Sequence, residues 1–193
     1  MPLERPAGRG PGLSESRVTR AGQRALYTAA LVALTPTVAH AQSYYRDDIV
    51  RGVCRRDGCD DFTIEEVRPV ANYADGSLHL ARIGVFHASF RGRVSRGTDE
   101  IHVLCSTSRP ALVENSFGKY VAYFLAPLGR GREPRETINY YALYFAVCHG
   151  LEAGKLGAKD KASVAARSGY RVALDAIRSI NLSAPYDVAR LSP

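Results

Sequence analysis

Apolar and polar side chains begin to alternate at Phe62-Thr63-Ile64 and continue through Val67 to Val70. This is the period-two pattern of a strand with one buried face. Pro69 cannot donate to a ladder, which places this strand at a sheet edge or near its own end. Asp75-Gly76 supplies turn chemistry. A second strand follows over Leu78–Phe90, LHLARIGVFHASF. Leu78 and Leu80 share one parity while Ile83, Val85 and His87 share the other, so a bulge or bend is expected near Gly84. Residues 91–97, RGRVSRG, read as a basic turn. Ile101, Val103 and Cys105 alternate with His102 and Leu104 as a third strand, and Ala111–Val113 resume the pattern beyond Pro110. Tyr120–Ala126, YVAYFLA, is a fourth β-prone run, ended by Pro127.

The period then changes. Ile138, Tyr141, Phe145 and Cys148 recur every three or four residues, and Gly150 stands where a helix places its left-handed cap. This predicts a helix over about 136–149. Residues 154–157 read as a loop, and Asp160 caps a second short helix over 160–168. The tail fits a helix around 173–180 or short strands around 180–182. Strands followed by helices imply an α+β fold. The expectation is an antiparallel sheet of about four strands over 62–126, followed by these one or two helices in a single domain.

The N-terminus changes how composition should be read. Arg5, Arg9, Arg17, Arg20 and Arg24 precede an uncharged run over 25–39, and Ala39-His40-Ala41 has the small residues a signal peptidase recognises. Residues 1–41 are therefore expected to be a signal peptide, cleaved before Gln42, with the domain occupying 42–193. Removing 41 of the 193 residues leaves 152, with 21 basic against 17 acidic side chains. That balance of +4 is weak support for any polyanionic partner, and no basic run interleaved with aromatics points to nucleic acid. No later stretch is long enough for a membrane-spanning helix.

Four cysteines, Cys54, Cys59, Cys105 and Cys148, all follow the expected cleavage site. An even count in an exported chain favours disulfides. The turn residues Asp57-Gly58 favour a local 54–59 loop, leaving a long-range 105–148 bridge. The spacing is wrong for a thioredoxin-type or haem-attachment motif, and only one pair is close enough to resemble half a zinc site. No metal and no cofactor are expected.

The segments CSTSRPALV (105–113), YALYFAVCHG (141–150) and SGYRV (168–172) resemble parts of small exported proteobacterial proteins that carry no assigned function. The resemblance implies a bacterial envelope setting, periplasmic or secreted, and brings no catalytic residue with it.

Candidate chemistry is sparse. Ser106, Thr107 and Arg109 follow a strand and offer hydroxyls and a guanidinium to a carboxylate or phosphate. Cys148-His149 juxtaposes a thiol and an imidazole, but neighbours on a helix point about 100° apart. His79, His87 and His102 lie on strands, and Asp60, Asp61, Glu65 and Glu66 read as a solvated acidic loop. Tyr44, Tyr45, Tyr120, Tyr123, Tyr140, Tyr141 and Tyr144 are candidates for a face that binds a glycan or peptide. No GxSxG or HExxH motif occurs. The function expected is a non-catalytic, disulfide-stapled envelope module that binds a ligand or supports an assembly. The alternative is an exported hydrolase or thiol enzyme using Cys105 or Cys148 with His102 or His149.

Overall fold

The computed structural model describes residues 46–131 and 137–191, and every pair of neighbouring strands in it runs antiparallel. The expected export signal, Tyr44, Tyr45 and the first residue of the expected 136–149 helix lie outside the described residues. Seven strands follow one another in chain order across a single sheet: β1 (Ile49–Arg55), β2 (Gly58–Tyr73), β3 (Gly76–Ser89), β4 (Gly92–Cys105), β5 (Ala111–Ser116), β6 (Lys119–Phe124) and β7 (Arg178–Leu182). Between β6 and β7 come the helices α1 (Ile138–His149), α2 (Leu151–Gly157) and α3 (Lys161–Arg167), and a 3-10 segment, Pro185–Arg190, follows β7.

This corrects the expectation of a four-stranded sheet; the fold is α+β only in the broad sense of a large antiparallel sheet with a few short helices. β5 begins at the Ala111–Val113 stretch that resumes the alternation, and β7 is the strand alternative for the tail around 180–182; β1 and the first half of β4 escaped the pattern for identifiable reasons. Residues 91–97 are largely the start of β4, whose first half is lined with Arg93, Arg96, Asp99 and Glu100. β5 pairs only with His102, Val103 and Leu104, so the preceding residues of β4 form a free edge. Charge and a bulge, where Val85 pairs with Gly97 and Phe86 with Ser95, keep such an edge from pairing with another chain. Pro69 follows the same logic: β1 meets β2 only as far as Thr63, and Pro69 stands on the unpaired stretch beyond. β1 itself is too short and irregular to alternate, with a register shift between Arg51 and Cys54.

Adjacent residues of the central strands leave opposite faces of the sheet, and both faces are covered. Val50, Phe62, Ala81, Ile83, Ile101, Val103 and Leu112 pack against the helices. Leu78, Leu104, Ala111, Val113, Ala122 and Phe124 cluster on the other side with Val188 of the 3-10 segment. Helix α1 is buried continuously from Tyr141 to Ala146, because the sheet lies on one side and α2 and α3 on the other. Residues 154–157, read as a loop, form the second half of α2. A Cβ on Gly154 would fall 2.6 Å from the Ala146 Cβ, and one on Gly157 would fall 2.4 Å from the Phe145 ring. These glycines let α2 lie directly on α1.

Two disulfides fasten the arrangement. Cys54–Cys59 closes the β1–β2 hairpin, and Cys105–Cys148 ties the end of β4 to the end of α1 across 43 positions of sequence.

Candidate functional site

Among the described residues the buried charged residue is Asp61 on β2, whose side chain is 0% exposed. It alternates with Phe62 along β2, so the two side chains leave the strand in opposite directions. Arg51 lies opposite it in the β1–β2 register. Arg93 is opposite Ala88 in the β3–β4 register and reaches back across β3. Its Nη2 and Nε donate to Asp61 Oδ2 at 3.0 and 3.3 Å, and its side chain is only 3% exposed. The other carboxylate oxygen, Oδ1, is buried with no hydrogen-bond partner. Arg51 Nε lies 3.7 Å from it, an ion pair too long for a hydrogen bond. A buried carboxylate with one unsatisfied oxygen is costly to fold around, and its effect here is to hold two guanidinium groups in place.

Those guanidiniums face a cavity of about 410 Å³, lined by Arg46, Ile49, Arg51, Gly52, Arg93, Lys155, Ala158 and Lys159. Among the described residues, five lining side chains are cationic and none is acidic. The edge of β1 forms one wall; Lys155 on α2 and Lys159 in the turn after it form the other. Gly154 and Gly157, by seating α2 against α1, set where these two lysines stand. Asp48 hydrogen-bonds Arg46, and that contact holds its carboxyl below the ordinary carboxylate range. Glu152 pairs with Lys155 at 2.6 Å, and Lys159 has no carboxylate partner among the described residues. Arginine forks beside lysine point charges suit a carboxylate or a phosphate.

A second cavity, of about 320 Å³, shares Ala158 and Lys159 with the first and is bounded by Gly129, Gly131, Tyr141, Gly157 and Lys161. Lys161 Nζ lies 4.2 Å over the Tyr141 ring. It donates to Tyr141 Oη and to the Ala126 carbonyl, at 3.2 Å each.

The structure disperses the candidates chosen from sequence. Arg109 donates to Asp75 at 2.7 Å and to the Leu191 carbonyl at 2.7 Å, so its guanidinium fastens the β2–β3 turn to the C-terminal segment. The buried Ser106 hydroxyl accepts from the backbone of Ser108 and Arg109, closing a turn. Thr107 is exposed, and its carbonyl accepts from the Arg171 backbone. Cys105 and Cys148 are bonded to each other, as are Cys54 and Cys59, and no free thiol remains. His149 Nε2 sits 2.7 Å from Tyr170 Oη, which donates to Tyr144 Oη, which donates to the Ser106 carbonyl. This chain of hydrogen bonds joins the residues that follow the two bonded cysteines. Burial pushes the Tyr170 hydroxyl up to about 12 and Tyr144 well above its ordinary value, so both remain donors.

His79 pairs in register with Val103 and His102 with Leu80, which sends the two rings to opposite faces, and His87 stands near the far end of β3. Among the described residues no cluster of histidine, cysteine or carboxylate side chains is arranged to hold a metal. Tyr141 and Tyr144 are core residues. Tyr120 and Tyr123 are half-buried, and Tyr140 donates to Glu114 at 3.1 Å while stacking on Tyr123. Among the described residues, therefore, the candidate tyrosines do not form a continuous exposed face.

Arg46, Arg51, Arg93, Lys155, Lys159 and the anchoring role of Asp61 were not singled out from sequence. Their only local signal is a charge at alternating strand positions, as in Arg51 and Arg93, and surface strands show that too. Comparison with family models, with curated proteins and with solved structures finds no match to this chain.

Proposed function

We propose that this chain is an exported bacterial envelope protein that binds rather than catalyses, and that its basic cavity takes the carboxylate or phosphate group of an envelope glycan or peptide. The observation that carries this reading is the Asp61-anchored pair of arginines facing Lys155 and Lys159. A buried carboxylate that fixes the direction of cations in a cavity is the arrangement a preorganised anion site needs. Two disulfides fit an oxidising compartment, and among the described residues no helix is long and apolar enough to cross a membrane. The enzyme alternative has less support, because the sulfurs of Cys105 and Cys148 are bonded to each other and neither offers a thiolate.

Isothermal titration of the purified protein tests the reading, with inorganic phosphate, uronic-acid-bearing glycan fragments, acidic peptides and the neutral counterpart of each. The expected result is binding of the anionic members only, weakening with salt, and about tenfold weaker in Arg51→Ala and in Lys159→Ala. Equal binding of neutral and anionic members would end it. So would affinities unchanged in both variants.

A further inference from the structure

The turn between α2 and α3 stands between two cavities. Ala158 and Lys159 line both the basic cavity of about 410 Å³ and its neighbour of about 320 Å³. Backbone hydrogen bonds fix this turn. The Ala158 amide donates to the Gly154 carbonyl at 3.0 Å, and the amides of Lys159 and Asp160 donate to the Leu156 carbonyl at 2.9 and 2.8 Å. Asp160, the acidic residue of the turn, is in neither lining; its carboxylate accepts from the Ser163 amide at 3.0 Å and from the Ser163 hydroxyl at 2.6 Å. Lys159 therefore projects from a fixed base into the boundary between the two spaces.

Positive charge lies on both sides of that boundary. Arg51, Arg93 and Lys155 join Lys159 in the first lining, and Lys161 joins it in the second. The Lys161 ammonium is held in position over the Tyr141 ring by its hydrogen bonds to the Tyr141 hydroxyl and the Ala126 carbonyl. Among the described residues neither lining includes an acidic side chain. The shared wall includes Ala158, whose single methyl group leaves room for a chain to pass over it. Ligand pockets run to about 300–1,000 Å³, and one oxyanion occupies a small part of such a volume. An anion seated on Arg51 and Arg93 leaves the second cavity empty.

We propose that the two cavities form one site for an oligoanion, a ligand with acidic groups on successive units of one chain. One group sits on Arg51 and Arg93, another on Lys161, with Lys159 between them and the connecting unit lying over Ala158. This rests on the anion-site reading of the basic cavity and adds the ligand class: a run of linked charges in place of a single terminal carboxylate or phosphate. Acidic glycan strands and phosphate chains share that chemistry. Once the first group is bound, the second meets its cation at the high effective concentration a short tether provides.

Isothermal titration across ligand length tests it, pairing galacturonate with trigalacturonate and inorganic phosphate with tripolyphosphate. In at least one series the trimer is expected to bind roughly tenfold or more tighter than the monomer. A gain in the uronate series alone identifies a glycan, in the phosphate series alone a phosphate chain, and in both a site that reads linked charge. Lys161→Gln, which keeps a hydrogen-bond donor but drops the charge, should abolish most of the gain while leaving monomer binding unchanged. Lys161→Arg, which keeps the charge, should retain the gain. The length dependence is read on the wild-type chain, so it decides even where a variant fails to fold. Monomers that bind as tightly as trimers would overturn the oligoanion proposal and leave the anion site standing, as would a full gain retained in Lys161→Gln. No binding by any member of either series would overturn both.

Discussion

Replacing Asp61 with alanine removes the carboxylate that fixes Arg93. The Asp61 side chain is 0% exposed and that of Arg93 3%, so the variant leaves a guanidinium in a site water scarcely reaches. One-sided loss of a buried pair costs about 3–5 kcal/mol. Two features lower that figure: Asp61 Oδ1 already lacks a hydrogen bond, and the Arg93 charge also acts on the Asp48 carboxyl. A loss of about 2–4 kcal/mol is therefore expected. For a domain of this size each kcal/mol lowers Tm by about 2–4 °C, giving a fall of roughly 4–16 °C. Equilibrium urea unfolding followed by circular dichroism measures the free energy directly, and an unchanged m value confirms that the native state is still compact. Asp61→Leu combined with Arg93→Met removes both charges and should recover part of the loss. A loss below about 1 kcal/mol for Asp61→Ala, or a double variant less stable than the single one, would refute the view that Asp61 anchors buried charge.

Gly157→Ala should destabilise the protein by about 1–3 kcal/mol, because its Cβ would meet the Phe145 ring at 2.4 Å; a chemical denaturation midpoint equal to that of the wild type would contradict the packing of α2 on α1. Removing Cys105–Cys148 with two alanines should cost about 4 kcal/mol, and removing Cys54–Cys59 about 2 kcal/mol, from the lengths of the loops they close. The reverse order in unfolding experiments would show that the long bridge does not constrain the chain as described. Burial lowers the pKa of His79 and of His102, so below about pH 6.5 the unfolded chain takes up protons before the folded one and stability falls. Asp75, held low by its hydrogen bond from Arg109, is still ionised in that window and loses its contribution only at more acidic pH. Tm should therefore drop between pH 7.5 and 5.5, and a His79→Gln, His102→Gln double variant should drop less; parallel curves would contradict this.

Much of the framework is visible along the chain. Alternating runs mark β2, β3 and the end of β4, a β-prone run marks β6, Pro69 announces an edge, and an Asp-Gly turn between close cysteines points to the Cys54–Cys59 loop. What remained hidden shares a physical cause, namely dependence on residues distant in sequence. The first half of β4 looks like a basic turn because a free edge is protected by charge rather than by alternation. α2 looks like a loop because Gly154 and Gly157 break helices in isolation, whereas here they allow contact with Ala146 and Phe145 on α1. Asp61 looks solvated among Asp60, Glu65 and Glu66. Its burial follows from Arg93, 32 residues away, and Arg51 on a strand too short to recognise. Ser106 and Arg109 carry the right chemistry for an anion, but the turn, Asp75 and the Leu191 carbonyl already use it.

The central proposal is that the basic cavity is an oxyanion site. A crystal structure of the protein grown with tungstate, a heavy oxyanion identifiable by its scattering, tests that most directly. The expected result is an anion in the cavity within hydrogen-bond reach of Arg51 and Lys159, lost in the Arg51→Ala, Lys159→Ala double variant. An empty cavity with tungstate bound elsewhere on the protein would contradict the account.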